Sequence, residues 1–121
     1  MPNCLVVDDS KVIRRVARHI LESLNLRVEE AGDGRQALEM CDEQLPDVVL
    51  LDWNMPIMSG IDFLKELSRR NLDNPPKVIF CTTENGLDHL RAAVAAGADE
   101  YVMKPFDRDT LESKLQIVGV L

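Results

Sequence analysis

Residues 48–56 read VVLLDWNMP, an apolar run that ends in the carboxylate of Asp52. A run of this kind is typical of a strand in a parallel sheet, where helices cover both faces. An unpaired charge inside such a sheet is costly, and burial favours its neutral form. We therefore expect Asp52 either at a strand end that faces water or in a site that requires a carboxylate.

The sequence on either side of this run alternates between strand-like and helix-like periods. The predicted strands cover 4–7, 28–31, 48–51, 78–81 and 101–103. The first helix is predicted to bury one apolar stripe, made of Ile13, Val16, Ala17, Ile20, Leu21 and Leu24. The later helices are predicted over about 35–43, from Gly60 through Leu67, from Leu87 to Gly97, and from Leu111 through Val118. Five βα units without a linker predict a single α/β domain over residues 1–121, a doubly wound parallel sheet with right-handed crossovers.

Charge and composition exclude several classes of protein. The 121 residues carry a formal net charge of −7, whereas a nucleic-acid-binding domain normally presents a basic face. No apolar stretch approaches the roughly 18 residues of a membrane-spanning helix, and the N-terminus lacks the basic start of an export signal. Cys4, Cys41 and Cys81 lie far apart, which favours reduced thiols over a disulfide or zinc site. We predict a cytoplasmic monomer that binds neither nucleic acid nor membrane.

Polar side chains follow four of the five predicted strands. In sheets of this type, sites form beyond the carboxyl ends of the strands, where the strand order reverses. The residues at these ends are Asp8 and Asp9, then Asp52, Trp53 and Asn54, then Thr82, Thr83 and Glu84, and finally Lys104 and Pro105. Carboxylates, a hydroxyl and an ammonium group are therefore expected to meet at one rim of the sheet.

The expected cluster of Asp8, Asp9 and Asp52 requires a cation, because neighbouring carboxylates repel one another and raise each other's pKa. A set of oxygen ligands without His or Cys suits a hard ion such as Mg²⁺, which keeps waters that phosphate oxygens can replace. Lys104 and Thr82 are placed to contact phosphoryl oxygens. Phosphoryl transfer needs little beyond positioning and charge neutralisation, and a carboxylate can itself be the nucleophile. Asp52, at the end of the central strand, is the candidate nucleophile.

Five motifs make the chain resemble a known family, the receiver domains of two-component response regulators. The motifs are LVVDDSKVIRR at 5–15, VEEAGDG at 28–34, DWNMP at 52–56, TTEN at 82–85 and AGADEYVMKPF at 96–106. They occur in the order and at the spacing of the family over essentially the whole chain, and they are most similar to the single-domain regulators of chemotaxis. The resemblance implies a flavodoxin-like fold with five parallel strands in the order 2-1-3-4-5. It also implies a phosphorelay switch that catalyses only its own phosphorylation and dephosphorylation, and not an enzyme with a separate substrate.

The resemblance further implies a phosphoacceptor and a metal site. Asp52 is the implied acceptor of a phosphoryl group from a histidine kinase or a phosphotransfer protein. The implied ligands of Mg²⁺ are Asp9, Asp52 and the main-chain carbonyl of Asn54, with Asp8 acting through a water molecule.

The remaining rim residues receive implied roles in switching. Lys104 is implied to contact the phosphoryl group and to precede a cis peptide at Pro105. Thr82 and Tyr101 are the implied switch pair, in which the ring turns inward as the hydroxyl moves toward phosphate. A downstream protein is expected to bind the face formed by the fourth helix, the fifth strand and the fifth helix, with Leu87, His89 and the residues around Phe106.

Simpler interpretations exist for single residues. Asp8 or Asp9 could cap the first helix, Tyr101 could be a half-buried core ring, and Trp53 is predicted to be an exposed neighbour of the site without a chemical role. Other functions are also open. A Mg²⁺-dependent phosphohydrolase with an Asp nucleophile would need a second Asp where Asn54 stands, and a flavodoxin-like cofactor binder would need phosphate loops instead of an acidic rim. The chain could also be the receiver fragment of a larger regulator.

Overall fold

The computed structural model describes residues 1–83 and 87–121, with all of their side chains except those of residues 87–89. Within these residues, five strands alternate with five helices. The strands are β1 (Asn3–Val7), β2 (Arg27–Ala31), β3 (Val48–Asp52), β4 (Lys77–Thr82) and β5 (Glu100–Met103). The helices are α1 (Lys11–Ser23), α2 (Gly34–Glu43), α3 (Gly60–Arg69), α4 (Leu87–Ala96) and α5 (Arg108–Ile117). Within the described residues, no helix has the length and the apolar character that crossing a membrane requires.

The strands form one parallel sheet in the order β2-β1-β3-β4-β5, which confirms the predicted flavodoxin-like fold. All residues of the central strand β3 are buried. Because successive side chains of a strand point to opposite faces, Val49 and Leu51 pack with α2 and α3, whereas Val48 and Leu50 pack with α1 and α5. Each fully buried aliphatic side chain contributes about 1.5–3 kcal/mol. This burial on both faces explains the apolar run and fixes the position of Asp52 at its end.

Short polar side chains begin four of the helices by accepting a hydrogen bond from a main-chain N–H of the first turn. These N-cap residues are Ser10, Asp33, Ser59 and Asp107. In α1 the cap is Ser10, whose hydroxyl accepts from the N–H of Ile13 at 3.3 Å. The interpretation of Asp8 or Asp9 as the cap of α1 is therefore wrong.

The buried face of α1 differs from the predicted stripe. Ala17 is fully buried, but Val16 is 45% exposed. Arg14 and Arg18 of α1 both pair with Glu30 on β2. In the observed rotation of the helix these arginines reach β2, and Val16, about 100° from Ala17 around the helix axis, faces solvent.

Gly60, the first residue of α3, packs directly against the end of β3. Its N–H donates to the carbonyl oxygen of Trp53 at 3.1 Å, and a Cβ at this position would lie 2.3 Å from the carbonyl oxygen of Asp52. Only glycine fits here without a shift of the main chain. The start of α3 therefore rests on the main chain that carries Asp52.

Candidate functional site

Four strand ends place the predicted site residues at one edge of the sheet. Asp8 follows β1, Asp52 is the last residue of β3, Thr82 is the last residue of β4, and Lys104 follows β5. In the described parts of the chain, the buried polar or charged residues are Asp8, Asp52 and Thr82. Carboxylates are rarely buried unless they are paired, so their concentration at this edge marks it as a candidate site.

Asp8, Asp9 and Asp52 form a cluster in which one oxygen atom of each carboxylate lies within 4.8 Å of the others. Asp8 is 3% exposed and Asp52 is 8% exposed, whereas Asp9 faces solvent. Asn54 lies exposed in the loop that follows β3. Oxygen donors alone suit a hard cation such as Mg²⁺, and the open side at Asp9 leaves room for water or phosphate oxygens. The chemistry of the donor set therefore fits the predicted metal ion.

The ammonium group of Lys104 lies between two of these carboxylates. Its Nζ is 2.6 Å from Oδ2 of Asp8 and 2.9 Å from Oδ1 of Asp52. The main-chain N–H of Lys104 donates to the carbonyl oxygen of Thr82 at 2.9 Å, and the peptide bond between Lys104 and Pro105 is cis. One ammonium group faces three carboxylates, so the cluster stays net negative and attractive to a further cation.

Burial and charge shift the proton affinities of this pair. Burial raises the pKa of Asp52 above its ordinary value; the hydrogen bond from Lys104 opposes this rise, and the charge of Asp8 adds to it. For Lys104, burial lowers the pKa, but the hydrogen bonds to Asp8 and Asp52 and their charges outweigh burial and raise it. Lys104 is therefore charged at neutral pH, and the Asp52 carboxylate is a stronger base than an exposed aspartate.

We expect Asp52→Asn to stabilise the metal-free protein by an amount that depends on pH. The pKa of Asp52 is higher in the folded protein than its ordinary value of 3.8, so its contribution to stability is complete below 3.8 and is lost as pH rises through the folded pKa. Urea unfolding in EDTA, from acidic to neutral pH, should show an advantage of Asp52→Asn over the wild type that grows with pH. An advantage that is constant over this range would contradict the raised pKa.

The main chain on both sides of Asp8 is held by hydrogen bonds with other elements. The N–H of Asp8 donates to the carbonyl of Ala31, at the end of β2, at 3.1 Å. Nη1 of Arg14 donates to the carbonyl of Asp8 at 2.6 Å. Sequence reasoning missed Arg14; the signal that could have found it is its position one helical turn after the N-cap Ser10, next to the loop that carries the carboxylates.

Trp53 is not exposed, so this prediction is wrong. Its ring packs, half-buried, against the core cluster and meets the ring of Phe80 edge-on, with ring centroids 5.1 Å apart and an interplanar angle of 69°. The main-chain N–H of Trp53 donates to Oδ1 of Asp52 at 3.0 Å. The physical reason is that Trp53 continues the alternation of β3 by one residue and so shares the core face of Leu51.

The predicted switch residues lie on neighbouring strands. Thr82 is 2% exposed, and Tyr101, which pairs in register with Phe80, is 37% exposed. Since Phe80 and Thr82 are two residues apart on one strand, Thr82 and Tyr101 belong to the same face of the sheet. The ring of Tyr101 is turned outward, where Nζ of Lys114 lies 4.5 Å from its centroid. Lys114 also pairs with Glu100 at 3.2 Å, which keeps its ammonium group beside the ring.

Part of the predicted partner surface lies outside the described residues. This part consists of the side chains of Leu87 and His89, and Glu84 of the predicted rim also lies outside the described residues. Phe106 packs, partly buried, against the core cluster beneath α1 and α5. Tyr101 and Lys114 are described residues of this face and are in contact with each other.

Comparison with known proteins agrees with this fold. The family model of the response regulator receiver domain matches residues 4–116. The chemotaxis protein CheY1 of Helicobacter pylori is 39% identical over 116 residues, 94% of each chain, and the chemotaxis protein CheY of Halobacterium salinarum is 38% identical over 107 residues, 88% of each chain. The solved structure of the chemotaxis response regulator CheY4 of Vibrio cholerae, 36% identical, matches 98% of both chains with a TM-score of 0.91. The chain therefore belongs to the family of response regulator receiver domains, the signalling switches of two-component systems.

Proposed function

We propose that this receiver domain is a monomeric, cytoplasmic switch that accepts a phosphoryl group on Asp52 from a histidine kinase or a phosphotransfer protein. The observation that carries the proposal is the cluster of Asp8, Asp9 and Asp52 with the ammonium group of Lys104 between two of its members. A net negative cluster with one fixed ammonium suits a hard cation and a phosphoryl group together. The proposed chemistry is limited to the protein's own phosphorylation and dephosphorylation.

The hydrogen bonds at Asp52 favour one carboxylate oxygen as the nucleophile. Within residues 1–83 and 87–121, the hydrogen bonds from Lys104 and from the N–H of Trp53 both end on Oδ1. Oδ2 is therefore the proposed attacking atom. As its bond to phosphorus forms, the P–N bond of a phosphohistidine breaks, and the leaving imidazole nitrogen keeps the electron pair and takes a proton from solvent.

The other site residues balance charge. We assign the Mg²⁺ ligands to Asp9, Asp52 and the main-chain carbonyl of Asn54, with Asp8 acting through a water molecule. When bound, the ion neutralises charge on the phosphoryl oxygens. Lys104 then exchanges its contact with Oδ1 of Asp52 for a charge-assisted hydrogen bond to a phosphoryl oxygen.

The proposed switch couples Thr82 to Tyr101. The phosphoryl group draws the hydroxyl of Thr82, and the ring of Tyr101 turns inward and leaves Lys114. Losing the contact between the ring and Lys114 costs about 0.5–1 kcal/mol, whereas each hydrogen bond to a charged group contributes about 1.5–3 kcal/mol. Lys104 exchanges one charge-assisted contact for another, so the new hydrogen bond of Thr82 is the net gain, and it outweighs the loss at Lys114 and shifts the balance between the two states.

The proposed output passes through the face formed by α4, β5 and α5, on which Tyr101 and Lys114 lie. Turning the ring inward changes both the shape of this face and the partner of the Lys114 ammonium group, so a protein that binds it can distinguish the two states. The named relatives are chemotaxis proteins, which supports chemotaxis as the pathway.

Amide hydrogen exchange tests this function, with beryllofluoride and Mg²⁺ in place of phosphorylation. In the wild type we expect altered protection in β5 and α5. Thr82→Ala should still bind beryllofluoride but lose most of the change in β5 and α5. The variant lacks the hydroxyl that is proposed to connect the bound group to these elements. Thr83→Ala, an exposed neighbour, is the matched control and should behave as the wild type. Changes confined to α1 and α2 in the wild type, or an unaltered response of Thr82→Ala, would refute the proposed route.

A further inference from the structure

Arg14 fixes the main chain of the carboxylate cluster. Its Nη1 donates to the carbonyl oxygen of Asp8 at 2.6 Å. Since a peptide unit is planar, fixing the carbonyl of Asp8 also fixes the N–H of Asp9 and the position of its Cα, from which the Asp9 side chain leaves the main chain. The side chain of Arg14 is 17% exposed, so this contact is largely shielded from competing water.

Arg14 is itself held in place from β2. Its Nε donates to Oε1 of Glu30 at 3.1 Å, and the other oxygen of the same carboxylate accepts from Nε of Arg18 at 2.6 Å. The hydrogen bonds from Arg18 and Arg14 hold the pKa of Glu30 below its ordinary value, so this carboxylate is ionised at neutral pH. A planar guanidinium group that bonds Glu30 through Nε and Asp8 through Nη1 has little freedom to turn.

Asp9 depends on this arrangement more than the other two carboxylates do. Lys104 holds the carboxylates of Asp8 and Asp52. In the parts of the chain that the structure describes, no hydrogen bond or ion pair holds the carboxylate of Asp9, so its main chain sets its direction. We propose, building on the proposed function, that Arg14 is a positioning residue: by fixing the peptide between Asp8 and Asp9, it sets the affinity of the cluster for Mg²⁺.

A purely electrostatic role for Arg14 predicts the opposite sign. If only its positive charge mattered, removing that charge beside the acidic cluster would tighten Mg²⁺ binding. If Arg14 positions the peptide, removing it weakens binding. Arg14→Met removes the charge and the hydrogen bonds, whereas Arg14→Lys keeps the charge but loses the fork that reaches Glu30 and Asp8 together. Arg15→Met removes an equal charge at the exposed neighbouring position and is the matched control.

The test is a titration of the metal-free proteins with Mg²⁺, followed by Trp53 fluorescence and by the rise of the melting temperature through linkage. We expect Arg14→Met to bind Mg²⁺ about tenfold more weakly than the wild type, as for other residues that orient metal ligands. Arg14→Lys should be weakened less, and Arg15→Met should not be weakened. At saturating Mg²⁺ the phosphorylation rate of both Arg14 variants should return close to that of the wild type, because Asp52 and Lys104 are unchanged. A general loss of structure would not produce this split between affinity and rate.

The outcomes separate the inference from the function on which it rests. The positioning role is overturned if Arg14→Met binds Mg²⁺ as tightly as Arg15→Met does, or more tightly. If Arg14→Met does not fold, Arg14→Lys decides by the same titration, and an affinity equal to that of the wild type overturns the role. A wild-type protein that binds no Mg²⁺ overturns the proposed function instead.

Discussion

Asp52→Asn is expected to abolish phosphorylation. The amide lacks the negative charge with which a carboxylate attacks phosphorus, yet it has nearly the same shape, so the hydrogen bonds from Lys104 and Trp53 to the oxygen at this position can persist. The loss would therefore report the chemistry and not the fold. Intact mass after incubation with Mg²⁺ and acetyl phosphate should show one phosphoryl adduct on the wild type, labile to hydroxylamine, and none on the variant.

The control for this experiment is Asp73→Asn, the same chemical change at an exposed aspartate outside the site. This variant should be modified as fast as the wild type. A stable adduct at another residue of Asp52→Asn would remove Asp52 from its proposed role. Steady hydrolysis of an added phosphomonoester by the wild type would favour a phosphohydrolase. We do not expect this result, because Asn54 lacks the acidic group that would protonate the leaving alcohol.

Asp9→Asn is expected to weaken Mg²⁺ binding by at least about tenfold, since it removes a proposed ligand and one negative charge of the cluster. The same substitution should raise the melting temperature of the metal-free protein, because the charge of Asp9 contributes to the repulsion at Asp52. Both effects are measured by thermal unfolding in EDTA and over a series of Mg²⁺ concentrations. The expected signature is a higher starting temperature with a smaller rise on adding Mg²⁺.

Two results would count against this account of Asp9. An unchanged Mg²⁺ response in Asp9→Asn would exclude Asp9 as a ligand, and a lower melting temperature in EDTA would exclude repulsion within the cluster. Asp73→Asn again serves as the control. It changes the net charge of the protein by the same amount, so it separates the local effect from the general one.

Local patterns were sufficient to predict a doubly wound parallel α/β sheet, whereas the order of its strands was implied by the family resemblance. The run from Val48 to Leu51 identifies the central strand because burial on both faces leaves an uninterrupted apolar sequence. The error at Val16 has a different origin. Apolar periodicity shows that a helix forms but does not set its rotation on the sheet, and the observed rotation also brings Arg14 and Arg18 to Glu30, 16 and 12 residues away.

The members of the candidate site could be predicted, but most of their contacts could not. Parallel strand ends meet at one edge, so topology alone brings Asp8, Asp52 and Lys104 together. The ammonium group of Lys104 bridges Asp8, which is 96 positions away in the sequence, and Asp52, which is 52 positions away. This contact depends on the conformations of three distant side chains. The contact between Lys114 and Tyr101 likewise depends on where α5 packs, which no short stretch of sequence encodes.

The contact between Gly60 and β3 restricts substitution at the start of α3, whereas the outer side of the helix can change. Because a Cβ at position 60 would lie 2.3 Å from the carbonyl oxygen of Asp52, any side chain there displaces the residue that is proposed to carry the chemistry. Lys65 and Ser68, on the outer side of the same helix, are exposed and free to vary. We therefore expect descendants of this chain to acquire new surface charge along α3, and with it new recognition, while the geometry around Asp52 is inherited unchanged.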